Sequence, residues 1–208
     1  MSRIPSHTID DAPAASRPML EHFAHQSRHV GRLLNLHAEM AHSPVLIAAY
    51  HGMRRAFDDH ATLDPRTRTA IMLTASAVQD CAYTNAIHAM LAHAAGWSHA
   101  EIAAIRAGTF AGDERLEALL AVAREAAAHA GHVPDPLWQR ARDAGWTPAQ
   151  LLETYAALAL TLFTGGFTHF AKTAVDAPVT WSRGDGSPIT AGRAVDSISP
   201  VSSEARRP

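Results

Sequence analysis

The chain has 208 residues, of which 47% are apolar, and a formal net charge of −2. This length can bury one sizeable core, and no basic cluster of the kind that binds nucleic acid is present. The longest apolar run, 155–163, is about half of the ~20 residues that a membrane span needs. We therefore expect neither a nucleic-acid partner nor a membrane span.

Three regions differ in composition. Residues 1–16 are polar and interrupted by prolines, and we predict a flexible N-terminal arm. Residues 17–178 carry the apolar periodicity of one helical domain, whereas residues 179–208 are rich in Ser, Gly and Pro without periodicity. We expect this last segment to be disordered or to wrap around a partner subunit. The N-terminus lacks the apolar segment of a signal peptide and the chain has one cysteine, which together predict a cytoplasmic location.

Start and stop signals divide the domain into helices. We predict a helix over about 19–29, a short helix before His42, and a longer one that begins at Ser43-Pro44. The centre is a helical hairpin. Asp64 caps a helix over 65–78, and a second helix runs over 81–95.

The remaining predicted helices follow similar signals. Their predicted starts and ends are Ser98 to Gly108, Asp113 to Gly131, Asp135-Pro136 to Gly145, and Thr147-Pro148 to about Val175. The last helix contains Gly165-Gly166, which indicates either a close approach of another group to the backbone or a kink. Two Gly-Trp pairs, Gly96-Trp97 and Gly145-Trp146, each precede a helix cap and hint at two related hairpins. No segment alternates with period two over a strand's length, so we predict an all-α fold.

Cys81, Thr84 and His88 would form one stripe on the second helix of the hairpin, at i, i+3 and i+7. A helix N-terminus favours the thiolate form of a cysteine there. Cys81 and His88, however, lie two turns apart, about 10 Å along the axis. Of Cys81 and Thr84, only Thr84 is therefore close enough on this helix to contact the His88 imidazole directly.

The segment 63–96 resembles the core of the carboxymuconolactone decarboxylase and alkyl hydroperoxidase D family, whose peroxidase branch carries a glutamate followed by Cys-x-x-Cys-x-x-x-His. Cys81 and His88 match the first cysteine and the histidine of this motif without a gap. Thr84 replaces the second cysteine, and Thr69 stands where the family has its glutamate. By this resemblance, a peroxidase that cycles through an internal disulfide is excluded, because it needs two thiols.

The resemblance extends over about 33–178 and implies an alkyl hydroperoxidase D-like helical bundle. It also implies a homo-oligomer, either a trimer or a hexamer, with no cofactor and no metal. Near the C-terminus, Gly165 and Thr168 stand where family members often have asparagines, whereas His169 remains. The histidines at 22, 25 and 29 share a helical face, which we interpret as solvated because no complete ligand set accompanies them.

Three functions remain open. The first is acid/base chemistry by His88 on a small organic acid: decarboxylation, isomerisation or lactone opening. The second is a single-cysteine alkyl hydroperoxide reductase, in which Cys81 is oxidised and an external thiol restores it. The third is a non-catalytic oligomeric binding protein, in which these residues only fill the core. The candidate site residues are His88, Cys81 and Thr84 for catalysis, and Tyr83, Thr69 and His169 for substrate binding.

Overall fold

The computed structural model describes residues 2–27 and 33–176, and within these ranges every regular element is a helix. The predicted all-α fold is confirmed. The helices are α1 Arg17–Gln26, α2 Asn35–Met40, α3 Pro44–His60, α4 Pro65–Val78, α5 Ala82–Ala94, α6 His99–Ala107, α7 Glu114–Ala128, α8 Asp135–Asp143 and α9 Pro148–Ala171. The predicted tail at 179–208 lies outside the described residues.

Side-chain caps mark the starts of α4, α6 and α9, as the sequence predicted. The Asp64 side chain accepts a hydrogen bond from the third residue of α4. Ser98 with Glu101 and Thr147 with Gln150 form complete capping boxes at the starts of α6 and α9. Each of these caps satisfies backbone N–H groups that the first helical turn leaves unpaired.

Three predicted boundaries are wrong. Cys81 is the N-cap of α5 and not part of its first turn, because the positive φ of Asp80 (49°) reverses the chain and leaves Cys81 extended. The helix α9 ends at Ala171 and not near Val175, since Lys172 adopts a left-handed conformation. Pro134, not Asp135, is the N-cap of α8. The first two depend on left-handed residues, Asp80 and Lys172, that are not glycine.

The helix α4 lies at the centre of the molecule and packs against α5, α6, α7 and α9. The residues Ala70, Ile71, Leu73 and Ala75 of α4 are all fully buried. A second buried cluster lies between α1, α2 and α3 and also includes Cys81 and Tyr83 from the start of α5. The functional candidates at and near the start of α5 therefore lie between this second cluster and the buried core around α4.

The two Gly-Trp pairs mark two similarly built hairpins. The Trp97 indole N–H donates to the Arg66 carbonyl at 2.9 Å, and the Trp146 indole N–H donates to the Arg115 carbonyl at 2.7 Å. In each pair the arginine guanidinium covers the indole ring, at 3.9 and 4.1 Å from the ring centroid. A cavity of about 510 Å³ lies between the two tryptophans, and neither His88 nor Cys81 lines it.

Residues 2–16, for which the sequence predicted a flexible arm, lie along the helical domain. The Arg3 amide donates to the Ala171 carbonyl at 2.7 Å, and the Ser2 hydroxyl donates to the Glu39 carboxylate at 2.7 Å. Ala12 is buried against α1 and α2. These contacts are formed by single polar groups and one small apolar side chain, which no periodic sequence pattern reveals.

The helix α9 is long and apolar enough to span a membrane, and among the described residues it is the only such helix. Half of its most apolar window is buried inside the protein. This burial is what a core helix of a folded domain requires.

Candidate active site

His88 lies on α5 and is held by Ser76 across the α4–α5 hairpin. The imidazole Nδ1 lies 2.7 Å from the Ser76 Oγ, and the Ser76 hydroxyl lies 2.8 Å from the Met72 carbonyl. A carbonyl only accepts hydrogen bonds, so the serine hydroxyl donates to Met72. The His88 Nδ1 then carries the proton and donates to Ser76. This tautomer leaves the lone pair on Nε2.

His88 is neutral near neutral pH. Burial, followed by the positive charge of Arg54, lowers the pKa of His88 to about 4, against a smaller opposing effect of a hydrogen bond to the Met72 backbone. The residue nevertheless keeps some accessible surface. An uncharged imidazole with one committed nitrogen can accept a proton at the other.

Arg54 acts on His88 through its charge, and the sequence analysis did not single it out. It lies on α3, and its Nη1 donates to the Tyr50 hydroxyl at 3.2 Å. Its pKa is raised by Tyr50, with burial acting in the opposite direction. A signal was available, since Arg54 follows the buried Tyr50 by one helical turn and so shares the core-facing side of α3 with Ile47 and Tyr50.

Cys81 faces α9 and not His88. Its side chain is 2% exposed, and its Sγ lies 3.1 Å from the Thr168 hydroxyl and 4.0 Å from the Gly165 carbonyl. The Gly165 position allows this approach of the α4–α5 turn to α9, because a Cβ there would collide with the side-chain amide of Gln79. This close approach was one of the two interpretations of the Gly-Gly pair, and α9 continues through it without a break.

Thr84 does not contact His88 through its hydroxyl. Its Oγ1 donates over a long 3.4 Å to the Cys81 carbonyl, three residues earlier in the chain. The polar partner of His88 comes instead from Ser76 on the neighbouring helix. Thr69 precedes Ser76 by two turns of α4, and its hydroxyl donates to the Arg66 carbonyl at 2.9 Å.

Tyr83 is buried, and its hydroxyl is committed to a structural contact. It donates to the Asp176 carboxylate at 2.6 Å and accepts from the Leu36 amide at 3.3 Å. Burial, followed by the nearby Asp176, raises the pKa of Tyr83. His169 is exposed, and its Nε2 lies 3.3 Å from the Gln79 carbonyl at the end of α4.

The sequence candidates thus fall into separate environments. His88 belongs to a polar group with Ser76, and Cys81 belongs to the contact between the α4–α5 turn and α9. Among residues 2–27 and 33–176, no group of three or more His, Cys, Asp or Glu side chains could hold a metal ion. The roles of the candidates in catalysis or substrate binding stay predictions.

Residues 44–125 match the model of the carboxymuconolactone decarboxylase family. No curated protein matches the chain. Among solved structures, the chain is similar to an alkylhydroperoxidase AhpD core, an uncharacterized peroxidase-related protein from Ralstonia eutropha JMP134, with a TM-score of 0.75 and 17% identity over 86% of this chain and 94% of that one. An uncharacterized peroxidase-related protein from Silicibacter sp. TM1040 is similar with a TM-score of 0.71 and 15% identity, over 86% of this chain and 97% of that one. The debrominase Bmp8 is similar with a TM-score of 0.69 and 17% identity, over 83% of this chain and 91% of that one. At these identities the structures establish the fold alone.

Proposed function

We propose that the chain is a small-molecule enzyme of the carboxymuconolactone decarboxylase family, whose model its residues 44–125 match, and that His88 transfers a proton to and from a small organic acid. The reaction class is decarboxylation, isomerisation or lactone opening. The matched segment 44–125 contains His88 together with Ser76 and Arg54, so the proposed machinery lies within the family core.

The arrangement of His88 is the observation that supports this proposal. Ser76 holds Nδ1 as the donor, which leaves Nε2 as the base. The lowered pKa of His88 keeps the ring in the form that can accept a proton. Once Nε2 has taken a proton from the substrate, the imidazolium formed in this buried setting is a strong acid and returns the proton readily. Positioned acid/base groups of this kind accelerate reactions by about 10²–10⁴-fold.

The single-cysteine peroxidase is supported less well. Two of the similar structures are described as peroxidase-related. In such a reaction the Cys81 thiolate would attack a peroxide oxygen, release the alcohol and become a sulfenic acid that external thiols reduce. The Cys81 Sγ is buried and its neighbour is the Thr168 hydroxyl, so among residues 2–27 and 33–176 no base is hydrogen-bonded to it.

Proton exchange with the solvent tests the proposal for every reaction in which His88 moves a proton to or from carbon, namely decarboxylation, isomerisation and lactone opening by elimination. The protein is incubated in D₂O with a panel of small unsaturated carboxylic acids and their lactones, and deuterium incorporation at carbon is followed by ¹H NMR. We expect exchange that His88→Gln abolishes and that Cys81→Ser retains. Exchange that is equal in wild-type protein and His88→Gln contradicts the proposal.

Hydroperoxide consumption with dihydrolipoamide as the reductant is the parallel assay. We expect no enzyme-like turnover by the wild-type protein. Turnover that Cys81→Ser removes and His88→Gln keeps would replace the acid/base proposal with the single-cysteine peroxidase. The two variants therefore serve as each other's controls.

A further inference from the structure

A polar cluster lies beneath α1, and the charge of its arginine acts on His88. It consists of Tyr50 and Arg54 on α3 and His37 on α2. The Arg54 Nη1 lies 3.2 Å from the Tyr50 hydroxyl, and the rings of Tyr50 and His37 have their centroids 5.6 Å apart. The three side chains therefore form one contiguous group, which the proton-transfer chemistry of His88 does not explain.

His37 is buried, and its ring nitrogens have no hydrogen-bond partner among the described residues. It is 4% exposed and stacks on Phe23, with ring centroids 4.1 Å apart and an interplanar angle of 13°. Neither of its ring nitrogens has a partner within the described part of the chain. Leaving a buried polar group in this state is unfavourable, so a bound group that supplies the missing hydrogen bond would be stabilised there.

Arg54 has unused donors. Within residues 2–27 and 33–176, no carboxylate forms an ion pair with it, and the Tyr50 hydroxyl is its only hydrogen-bond partner. Asp58, one turn further along α3, is exposed and acts on Arg54 only through its charge. A guanidinium offers five N–H donors in a planar fork that fits a carboxylate. Part of Arg54 remains accessible from the surface.

We propose that Arg54, Tyr50 and His37 form an anion subsite that holds a carboxylate of the substrate beside His88. This inference rests on the proposed function and deepens it, since it assigns the group that recognises the organic acid. Arg54 supplies the charge and the paired N–H donors. His37 supplies a ring N–H that has no acceptor among the residues that the structure describes.

The subsite is coupled to the base. The positive charge of Arg54 is one of the causes that lower the pKa of His88, and the Met72 backbone and the Ser76 hydroxyl are the polar groups that face His88 from α4. A carboxylate bound to Arg54 offsets that charge. The pKa of His88 then rises toward its ordinary value, so the base becomes stronger when an acidic substrate is present.

Carboxylate binding by the intact protein tests the subsite. The probes are acetate and benzoate, each compared with its uncharged amide at tens of millimolar, and binding is followed by ¹H–¹⁵N NMR titration. We expect both carboxylates, and neither amide, to shift backbone signals of α2 and α3. Arg54→Gln should weaken this binding by about 10-fold or more, since a charge-assisted hydrogen bond contributes about 1.5–3 kcal/mol.

Arg55→Gln is the matched control, because Arg55 is the next residue on the same helix, is exposed and pairs with Asp59. It should bind the carboxylates as the wild-type protein does. Arg54→Lys keeps the charge and serves as a second variant in case Arg54→Gln does not fold. We expect it to bind the carboxylates more weakly than the wild-type protein, because it loses the planar fork.

Three results would overturn the subsite. The first is the absence of carboxylate binding by the wild-type protein. The second is equal binding by carboxylates and amides, and the third is equal weakening by Arg54→Gln and Arg55→Gln. These outcomes are separate from failure of the proposed function. If His88→Gln retains deuterium exchange while carboxylate binding still depends on Arg54, the acid/base role is lost and the subsite stands.

Discussion

A decrease in pH from about 7.5 to about 5.5 is expected to destabilise the protein through His37 and His88. Burial, followed by the charge of Arg54, lowers the pKa of His37 to about 3 and that of His88 to about 4, from a value of 6.5 in the unfolded chain. The unfolded state therefore binds more protons throughout this pH window. The contribution of the two neutral histidines to the free energy of unfolding is complete above the unfolded pKa and is lost as the pH falls below it.

The magnitude depends mainly on the unfolded pKa, because at about pH 5.5 both histidines are still neutral in the folded protein. Each histidine then lowers the free energy of unfolding by about 1.4 kcal/mol between the two pH values, and the pair by about 2.7 kcal/mol.

Urea unfolding at the two pH values measures this effect in wild-type protein, His37→Gln, His88→Gln and the double variant. Each single substitution should reduce the acid-dependent loss by about 1.4 kcal/mol, and the double substitution by about 2.7 kcal/mol. Contributions from all other titrating groups are common to the four proteins. A double variant whose pH dependence matches the wild-type protein would refute the assignment of both histidines as buried and neutral.

Two further predictions concern α9 and the partner of His88. Gly166→Ala should stabilise the protein by about 1 kcal/mol, because a Cβ there meets no atom within 4 Å. Gly165→Ala should give almost no gain in stability, because its Cβ displaces Gln79 and breaks the 3.2 Å hydrogen bond from that side chain to α9. Equal gains in the free energy of unfolding for the two variants, measured by urea unfolding, would contradict this. Ser76→Ala should lower kcat by up to about 10-fold, less than His88→Gln, because it removes one positioning hydrogen bond. Unchanged kcat and an unchanged pH–rate profile would refute this role.

Much of the fold could be predicted because its signals are local. Asp64 and the two capping boxes fix helix starts through side chains within three residues of the backbone groups that they satisfy. The end of α9 could not be predicted in this way. It depends on a left-handed Lys172, and the chain beyond it is held by Asp176, which accepts hydrogen bonds from Tyr83 and the Asn35 amide.

The candidate site was predicted only in part for the same reason. The motif frame predicted His88 and Cys81 as candidates, and the stripe on one helix predicted Thr84 as the side chain that could contact the imidazole. The contacts come from other helices, Ser76 for His88 and Thr168 for Cys81. Partners of this kind depend on how α4, α5 and α9 pack, which residue spacing along one helix does not contain.

The protonation state of His88 is the most direct test of the account. Long-range ¹H–¹⁵N NMR of the ¹⁵N-labelled protein near neutral pH distinguishes the two neutral tautomers from the imidazolium, with His88→Gln providing the assignment. We expect a neutral ring with the proton on Nδ1, and loss of this single tautomer in Ser76→Ala. A charged ring, or a neutral ring with the proton on Nε2, would contradict the role of His88 as a base held by Ser76.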